Sequence, residues 1–351
     1  MELSKFELKN LRYKAKGKFS RAKEMFFPSS ESLQQSTPEA IALYRAQRLA
    51  GDTIIDLGCG IGSDSIALSQ FCKKVIAVDV DEKVLKCAEQ NAEVYGRKNI
   101  EFISADFEEL DLQKLKVSAV FSDPSRRVNG LRVKALDQTV PNTLDLIEWI
   151  QAQKISDFAI EVSREFKSEE ILLDCEKEYI SSNCGNREHE LNCLTLYFGK
   201  FKQAECSLVL VPENQKLISL EKISITLKPQ SLQTYLYELH AGIDRAGLYS
   251  ELLKQLPETF YFQPNFLTSN QLLKNVFFKN RFQVVGMTQT EAELILKLQE
   301  LQAQKIVLRG KIPEEKYAEL KNRIESNLHG TQKVHVFFGK PFLICKNLDL
   351  I

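Results

Sequence analysis

The sequence predicts an α/β protein built on a Rossmann-like, doubly wound, mostly parallel sheet. An N-terminal helical segment precedes this sheet and a smaller C-terminal α/β domain follows it. Three observations carry this prediction. Thr53-Ile-Ile-Asp-Leu-Gly-Cys-Gly-Ile-Gly62 joins a short apolar run to a glycine turn. Lys74-Val-Ile-Ala-Val-Asp79 is a second apolar run that ends in an acid. Strand and helix patterns then alternate as far as Val211. Apolar runs of this length suit parallel strands covered on both faces. Strand–helix alternation calls for right-handed parallel crossovers.

The glycine turn carries the first chemical information. Gly58, Gly60 and Gly62 allow a sharp turn and let a ligand approach the main chain. A dinucleotide turn is spaced G-x-G-x-x-G, whereas this one is G-x-G-x-G with Asp56 just before it. A carboxylate there repels a pyrophosphate and attracts a cation such as the sulfonium and amino group of S-adenosylmethionine. Asp79 ends the second strand, where a carboxylate accepts ribose hydroxyls, and Val80 follows it. Asn99-Ile-Glu-Phe-Ile-Ser-Ala-Asp-Phe107 is a third unit. It places Asp106 to hold an adenine amino group, with Phe107 beside the ring. The expected cofactor set is therefore Asp56, Gly58, Gly60, Gly62, Asp79, Val80, Asp106 and Phe107, with Asp123 at the next strand end.

This order resembles the class I methyltransferases from about Thr53 to Pro212. Asn91-Ala-Glu-Val-Tyr-Gly96, Ile100-Glu-Phe-Ile103 and Ala105-Asp-Phe107 resemble the cap-guanine N2 methyltransferases, the family of trimethylguanosine synthase. The resemblance implies a seven-stranded sheet with the cofactor at the carboxyl ends of the first strands. It also implies cofactor contacts at Asp56, Gly58, Gly60, Asp79 and Asp106. The last 120 or so residues resemble the THUMP-like domain found behind prokaryotic methyltransferase domains. That likeness rests on Tyr237–Leu248, Phe266-Leu-Thr-Ser269, Arg281-Phe-Gln-Val284 and Ile306–Lys311. THUMP domains are linked to RNA, so the resemblance implies an RNA partner, tRNA or rRNA.

The fourth strand, Ala119-Val-Phe-Ser122, delivers Asp123-Pro-Ser-Arg-Arg127 to the switch point where substrates enter. Nitrogen methyltransferases carry Asp/Asn-Pro-Pro-aromatic at this place. Asp123 and Pro124 fit, but Ser125 replaces the second proline and Arg126 the aromatic. Asp123 is the expected catalytic carboxylate, accepting a hydrogen bond or proton from the acceptor, with Pro124 and Arg126 beside it. Ser125, Arg126, Arg127 and Arg132 are the expected substrate contacts, because guanidinium groups fork to phosphate or stack on bases. An internal ion pair of Arg126 with Asp56 or Asp123 is the competing arrangement.

The 351 residues suggest a division into 1–50, 51–212 and 213–351, with Leu191–Phe198 and Cys206–Val211 expected as an antiparallel terminal hairpin and Leu232–Leu256 as a helix. Formal net charge is zero but uneven. Lys9, Arg12, Lys14, Lys16, Lys18, Arg21 and Lys23 form a run with no acid, interleaved with Tyr13 and Phe19. Such a run suits a polyanion, with Lys14, Lys16 and Lys18 on the RNA backbone, or else a solvated face over a small core. No apolar run approaches the roughly 20 residues of a membrane span, and there is no signal-peptide pattern. The 8 cysteines therefore suggest a reduced, cytoplasmic protein. Cys175, Cys184 and Cys193 with His189 match no common zinc spacing, so no metal is expected. The sequence thus points to an S-adenosylmethionine-dependent RNA methyltransferase. A small-molecule or protein methyltransferase, or an RNA-binding protein with a dead pocket, are the alternatives.

Overall fold

A computed structural model of the chain describes residues 4–128, 131–133, 135–183, 190–221 and 227–349. The chain divides into two compact units, one of residues 1–224 with 241–251 and one of 225–240 with 252–351.

The first unit opens with three helices, α1 (Lys5–Ala15), α2 (Ser30–Gln35) and α3 (Glu39–Arg48). The alternating region follows as β1 (Gly51–Leu57), α4 (Ser63–Leu68), β2 (Cys72–Asp79), α5 (Glu82–Val94), β3 (Ile100–Ser104) and β4 (Ala119–Ser122). A two-residue ladder, β5 (Arg127–Val128) with β6 (Leu131–Arg132), leads to α6 (Thr143–Ala152) and β7 (Phe158–Val162). The unit continues through β8 (Glu176–Ser182), β9 (Glu190–Tyr197), β10 (Cys206–Val211) and β11 (Gln215–Ser219). Among the described residues its sheet has nine strands, in the order β11-β10-β8-β9-β7-β4-β1-β2-β3. Strands β1 to β4 and β7 are parallel, and β9 runs antiparallel between β7 and β8. Ala42, Ala46 and Leu49 of α3 pack with Ala67 and Leu68 of α4 against Ile54, Val75 and Phe121. Cys59, Ala77, Leu85 and Ala88 pack together in a second cluster, between β2 and α5.

The seven-stranded arrangement is present as β3-β2-β1-β4-β7-β9-β8, and β10 and β11 extend it. The expected terminal hairpin of 191–198 with 206–211 does not form, because β8 lies between those strands. Glu176-Lys-Glu-Tyr-Ile-Ser-Ser182 is polar enough to hide a strand, yet all seven residues are buried. Arg48 makes this possible, donating to Glu176 at 2.8 Å and to Glu178 at 2.6 Å. Tyr44 donates to Glu178 and Ser207 to Glu176, each at 2.7 Å. Buried charge is tolerated where it is paired and hydrogen-bonded in this way.

The boundary expected after Pro212 shifts for the same reason of pairing. β11 adds to β10 through the register Cys206↔Ser219 to Leu210↔Gln215, so the first unit runs past it. The single helix expected over 232–256 is instead β12 (Tyr235–Leu239) followed by α7 (Ala241–Ala246) and α8 (Tyr249–Gln255). Tyr-Leu-Tyr-Glu-Leu is aromatic-rich and alternating, which favours a strand over a helix. α7 belongs to the first unit.

The second unit has its own seven-stranded sheet among the described residues. It comprises β12, β13 (Phe260–Gln263), β14 (Phe266–Ser269), β15 (Phe278–Thr288), β16 (Ala303–Arg309), β17 (Gln332–Phe337) and β18 (Phe342–Asn347). Helices α9 (Glu291–Glu300) and α10 (Glu314–Glu325) pack Leu294, Leu298, Leu320 and Ile324 onto Ile306, Val334 and Ile344.

The N-terminal segment is built into the first unit. Leu11, Ala15, Phe19, Ala22, Met25, Phe27 and Leu33 form a core with Ile61 of the glycine turn. Asn91 of α5, fully buried, closes the arrangement. Its side chain accepts from the Phe26 amide at 2.7 Å and donates to the carbonyls of Phe26 at 3.1 Å and Ile61 at 3.0 Å. Replacing Asn91 by Leu strands these groups and is expected to cost about 2–3 kcal/mol. Urea unfolding measures this, and limited proteolysis should cut the variant first between residues 5 and 38.

Candidate active site

The carboxyl edge of the first sheet gathers the expected site residues by register alone. Leu57 pairs with Val78 and with Ser122, so Gly58, Asp79 and Asp123 emerge side by side. Asp79 pairs with Ser104, which brings Asp106 to the same edge. The amides of Gly58 and Cys59 both donate to the Val78 carbonyl at 2.9 Å. The Asp79 carboxylate accepts from the Gly60 amide at 2.9 Å and from the Asp81 amide at 3.0 Å. These two bonds fix its direction at the strand tip.

Gly58, Gly60 and Gly62 have φ of 77°, 56° and 84°. A Cβ on Gly58 or Gly60 would meet nothing within 4 Å, so both present bare backbone to open space. At Gly62 a Cβ would lie 3.1 Å from that of Ala88, so this glycine serves the packing of α4 on α5. Val80 is 69% exposed. Asp106 is exposed and accepts from the Glu108 amide at 3.1 Å. Phe107 stands edge-on to Trp149, with ring centroids 5.1 Å apart. Together these groups fit a nucleoside: open glycine backbone, carboxylates at neighbouring strand ends and an exposed apolar side chain between them.

Beneath this surface lies a buried charge network that sequence reasoning missed. The guanidinium of Arg45, 1% exposed, bonds Asp64 at 2.8 Å and Glu161 by a second, shorter contact. It also stacks on Phe121 with its carbon 4.6 Å from the ring centroid. The other oxygen of Glu161 accepts from Arg126 at 3.1 Å. Burial pulls Arg45 toward losing its proton, but Asp64 and Glu161 outweigh it and keep it charged. Asp56 lies buried under the turn and accepts from the Ser65 hydroxyl. Its burial, with Asp64 nearby, pushes its pKa up to about 7. Burial and the nearby Glu161 hold Asp123 well above the ordinary carboxylate range. Asp56, Asp64, Asp123 and Glu161 thus outnumber Arg45 and Arg126. Burial and this surplus of acids raise the pKa of Asp56 and Asp123, and such a cluster suits a cationic ligand.

Signals for this network existed. Arg45 interrupts the apolar face Ile41, Ala42, Ala46, Leu49, and Glu161 interrupts Phe158-Ala-Ile-Glu-Val162. A lone charge in a buried stripe implies a buried partner.

The loop after Asp123 is tightly laced. Pro124 is buried. The Ser125 amide donates to Val140 at 2.8 Å, Val140 donates back at 2.9 Å, and the Val133 amide donates to the Arg126 carbonyl at 2.8 Å. Arg126 turns inward to Glu161, so its ion-pair partner is neither Asp56 nor Asp123. Arg127 and Arg132 face each other across the short ladder, and their side chains lie outside the described residues. Beside Arg126 and Glu161 opens a polar cavity of about 440 Å³, bounded by the N-terminal segment on one side and by β7, β8 and β9 on the other.

The basic run divides by function. Lys18 is corrected to a structural role, because its ammonium donates to the carbonyls of Leu33, Gln34 and Ser36 at 2.8, 3.1 and 2.8 Å. Those bonds use all three of its donors. Arg12 and Arg21 likewise serve backbone carbonyls, of Met25 and Val94 among others. Lys16 is exposed above the Tyr13 ring at 4.6 Å, and Lys14 lines the cavity. Cys175 and Cys193 are buried, while Cys184 and His189 lie outside the described residues. No described helix is long and apolar enough to cross a membrane.

Residues 49–190 match the family model of a methyltransferase domain. An uncharacterised RNA methyltransferase of Chlorobaculum tepidum is 34% identical over 115 residues, covering 30% of this chain and 23% of that protein. The 23S rRNA (uracil(1939)-C(5))-methyltransferase of Marinomonas posidonica is 36% identical over 73 residues, covering 21% of this chain and 16% of that protein. The chain therefore spans less than a quarter of the length of these two relatives. A solved structure of a candidate methyltransferase from Porphyromonas gingivalis has a TM-score of 0.74 to this chain. That likeness covers 96% of this chain and 87% of the other, at 19% identity. The class that fold and site define is the methyltransferase fold with a Rossmann-like sheet. The likeness to the P. gingivalis structure is one of fold, and its coverage reaches into both units.

Two outcomes follow from the network. Arg45→Met leaves Asp64 and Glu161 without their shared cation and should cost about 3–5 kcal/mol in denaturant unfolding. Asp56 is ordinarily ionised above a pKa of 3.8 but here ionises near 7. It therefore favours the folded state at low pH, and that support is lost as pH rises through 7. Asp56→Asn should gain stability relative to the native protein between pH 5 and pH 8. A difference constant with pH would contradict the assignment.

Proposed function

We propose that this chain is an S-adenosylmethionine-dependent methyltransferase that methylates a nucleobase in RNA. The observation that carries the reading is the carboxyl edge itself, where bare glycine backbone meets Asp79, Asp106 and Asp123 above a cluster with surplus negative charge. When bound there, S-adenosylmethionine supplies a methyl group already activated on a sulfonium. Most of the remaining catalysis is placement of the acceptor. Asp79 suits the ribose hydroxyls, and Asp106 suits the adenine amino group, with Val80 and Phe107 against the ring. Asp56 lies too deep for direct contact and acts through the local field.

Asp123 is the acceptor-side carboxyl. Burial and Glu161 raise its pKa, an arriving cation works in the opposite direction, and the carboxylate can then accept a hydrogen bond or proton from the acceptor. The names of the relatives, several of them RNA methyltransferases, support an RNA substrate. The departure from Asp-Pro-Pro-aromatic at Ser125 and Arg126 leaves guanine N2 without its stacking ring, so the cap-guanine kinship extends to the fold rather than the target. The second unit, read as THUMP-like, is assigned to RNA capture, with tRNA or rRNA as the partner.

Asp79→Ala should lose cofactor binding by calorimetry while keeping the native circular dichroism spectrum. Asp123→Asn should keep cofactor affinity and lose transfer of labelled methyl to RNA from a strain lacking the gene. Retention of full activity would remove Asp123 from the mechanism. RNA affinity should also fall steeply with salt, as counterion release requires. A flat salt response would favour a small-molecule or protein acceptor.

A further inference from the structure

The carboxyl edge of the first unit is electrically divided. Its cofactor half presents Asp79, Asp106 and Asp123, with Asp56 buried beneath them. The adjoining cavity of about 440 Å³ has four basic residues, Lys14, Lys18, Arg126 and Arg164, against two acids, Glu161 and Glu190. One half therefore suits a cation and the other an anion. The volume lies within the range of about 300–1,000 Å³ typical of small-ligand pockets.

The cavity wall also carries unused hydrogen-bonding capacity. Ser182 is 1% exposed, and its hydroxyl finds no hydrogen-bond partner among the described residues. Its amide is held by the Asn192 side chain at 2.7 Å, which fixes its direction on the wall. A buried hydroxyl left unpaired costs free energy that a partner brought within reach recovers. Arg164 is anchored by one nitrogen to the Leu191 carbonyl at 2.6 Å, and its side chain remains 35% exposed. Lys14 is exposed on the facing segment. The two cations thus line the cavity from separate elements, α1 and the segment after β7.

Resting on the proposed methyltransferase reading, we propose that this cavity receives a single phosphate-bearing nucleotide drawn out of an RNA chain. Lys14 and Arg164 hold its phosphates, and Ser182 reads a polar edge of its base. Enzymes that act on a base inside a structured nucleic acid extrude the nucleotide into such a pocket. The N-terminal segment is then one wall of the acceptor site rather than a loose backbone grip. Arg126, bonded to Glu161 at 3.1 Å, is shared between this pocket and the network under the cofactor turn. The charges of that pair also act on Asp123.

The test is calorimetric titration of the full-length protein with the four nucleoside 5′-monophosphates, with inorganic phosphate, and with a 12-nucleotide RNA. Each is run with and without saturating S-adenosylhomocysteine, on the native protein and on Lys14→Glu, Arg164→Glu and Ser182→Leu. At least one mononucleotide should bind, and the RNA should compete with it. Lys14→Glu and Arg164→Glu should each weaken mononucleotide binding tenfold or more, and Ser182→Leu should abolish it. Affinity for S-adenosylhomocysteine should stay within twofold in all three, which also reports that they fold.

Absence of mononucleotide binding, or binding unmoved by the three variants, overturns the proposal. Inorganic phosphate binding as tightly as the mononucleotides would reduce the site to an anion hole and overturn it too. Failure of S-adenosylhomocysteine to bind the native protein would sink the cofactor reading alone. The titrations without it still judge the pocket.

Discussion

The ion-pair chain Asp64–Arg45–Glu161–Arg126 is the constraint on which the site depends. Arg45 reaches from α3 to the first turn of α4 and to β7, so one side chain ties the helix after the glycine turn to the strand beside the cavity. Glu161 then passes the constraint to Arg126 in the loop behind Asp123. Arg45, Asp64 and Glu161 are buried, and their bonds fix one another's direction. Within the ion-pair chain the charges balance, two acids against two bases, and Asp56 and Asp123 come on top of it; burial first, and the neighbouring acids second, raise the pKa of both. The cluster is consequently poised to respond to any positive charge that enters from the cofactor side.

The same logic explains the division of the N-terminal basic run. A stretch of seven cations looks like a nucleic-acid grip, but three of them are bonded to the fold's own backbone. Lys18 serves carbonyls at the end of α2, Arg12 the Met25 carbonyl and Arg21 the carbonyl at the end of α5. Asn91 performs the matching task from α5, and Ile61 joins the segment's core to the glycine turn. The turn, the segment and the cavity wall therefore form one packed body within the first unit. Only the cations that the interior does not use, Lys14 and Lys16 among them, remain for a ligand.

Much of this was legible in the sequence where a single local rule decides. The glycine turn, β1, β2, β3, β7 and the acids at Asp79, Asp106 and Asp123 follow from apolar runs ending in fixed turn chemistry. Their alignment follows from parallel register. What escaped were features set by partners far apart in sequence. β8 reads as polar because its acids are neutralised by Arg48, more than a hundred residues away. β12 was lost to a helical count that ignored its aromatic alternation. Arg126 could not be assigned a direction until Glu161 was placed beside it. The extension of the sheet by β10 and β11 likewise depends on edge pairing that no local pattern announces.

The central claim is that the cluster holds protons which a cationic cofactor displaces. Calorimetry of S-adenosylmethionine binding near pH 7, in two buffers of different ionisation enthalpy, counts the protons exchanged. The account predicts net proton release, which shrinks in Asp56→Asn and is smaller for S-adenosylhomocysteine, which lacks the sulfonium charge. Binding with no proton exchange, equal for both ligands, would contradict it.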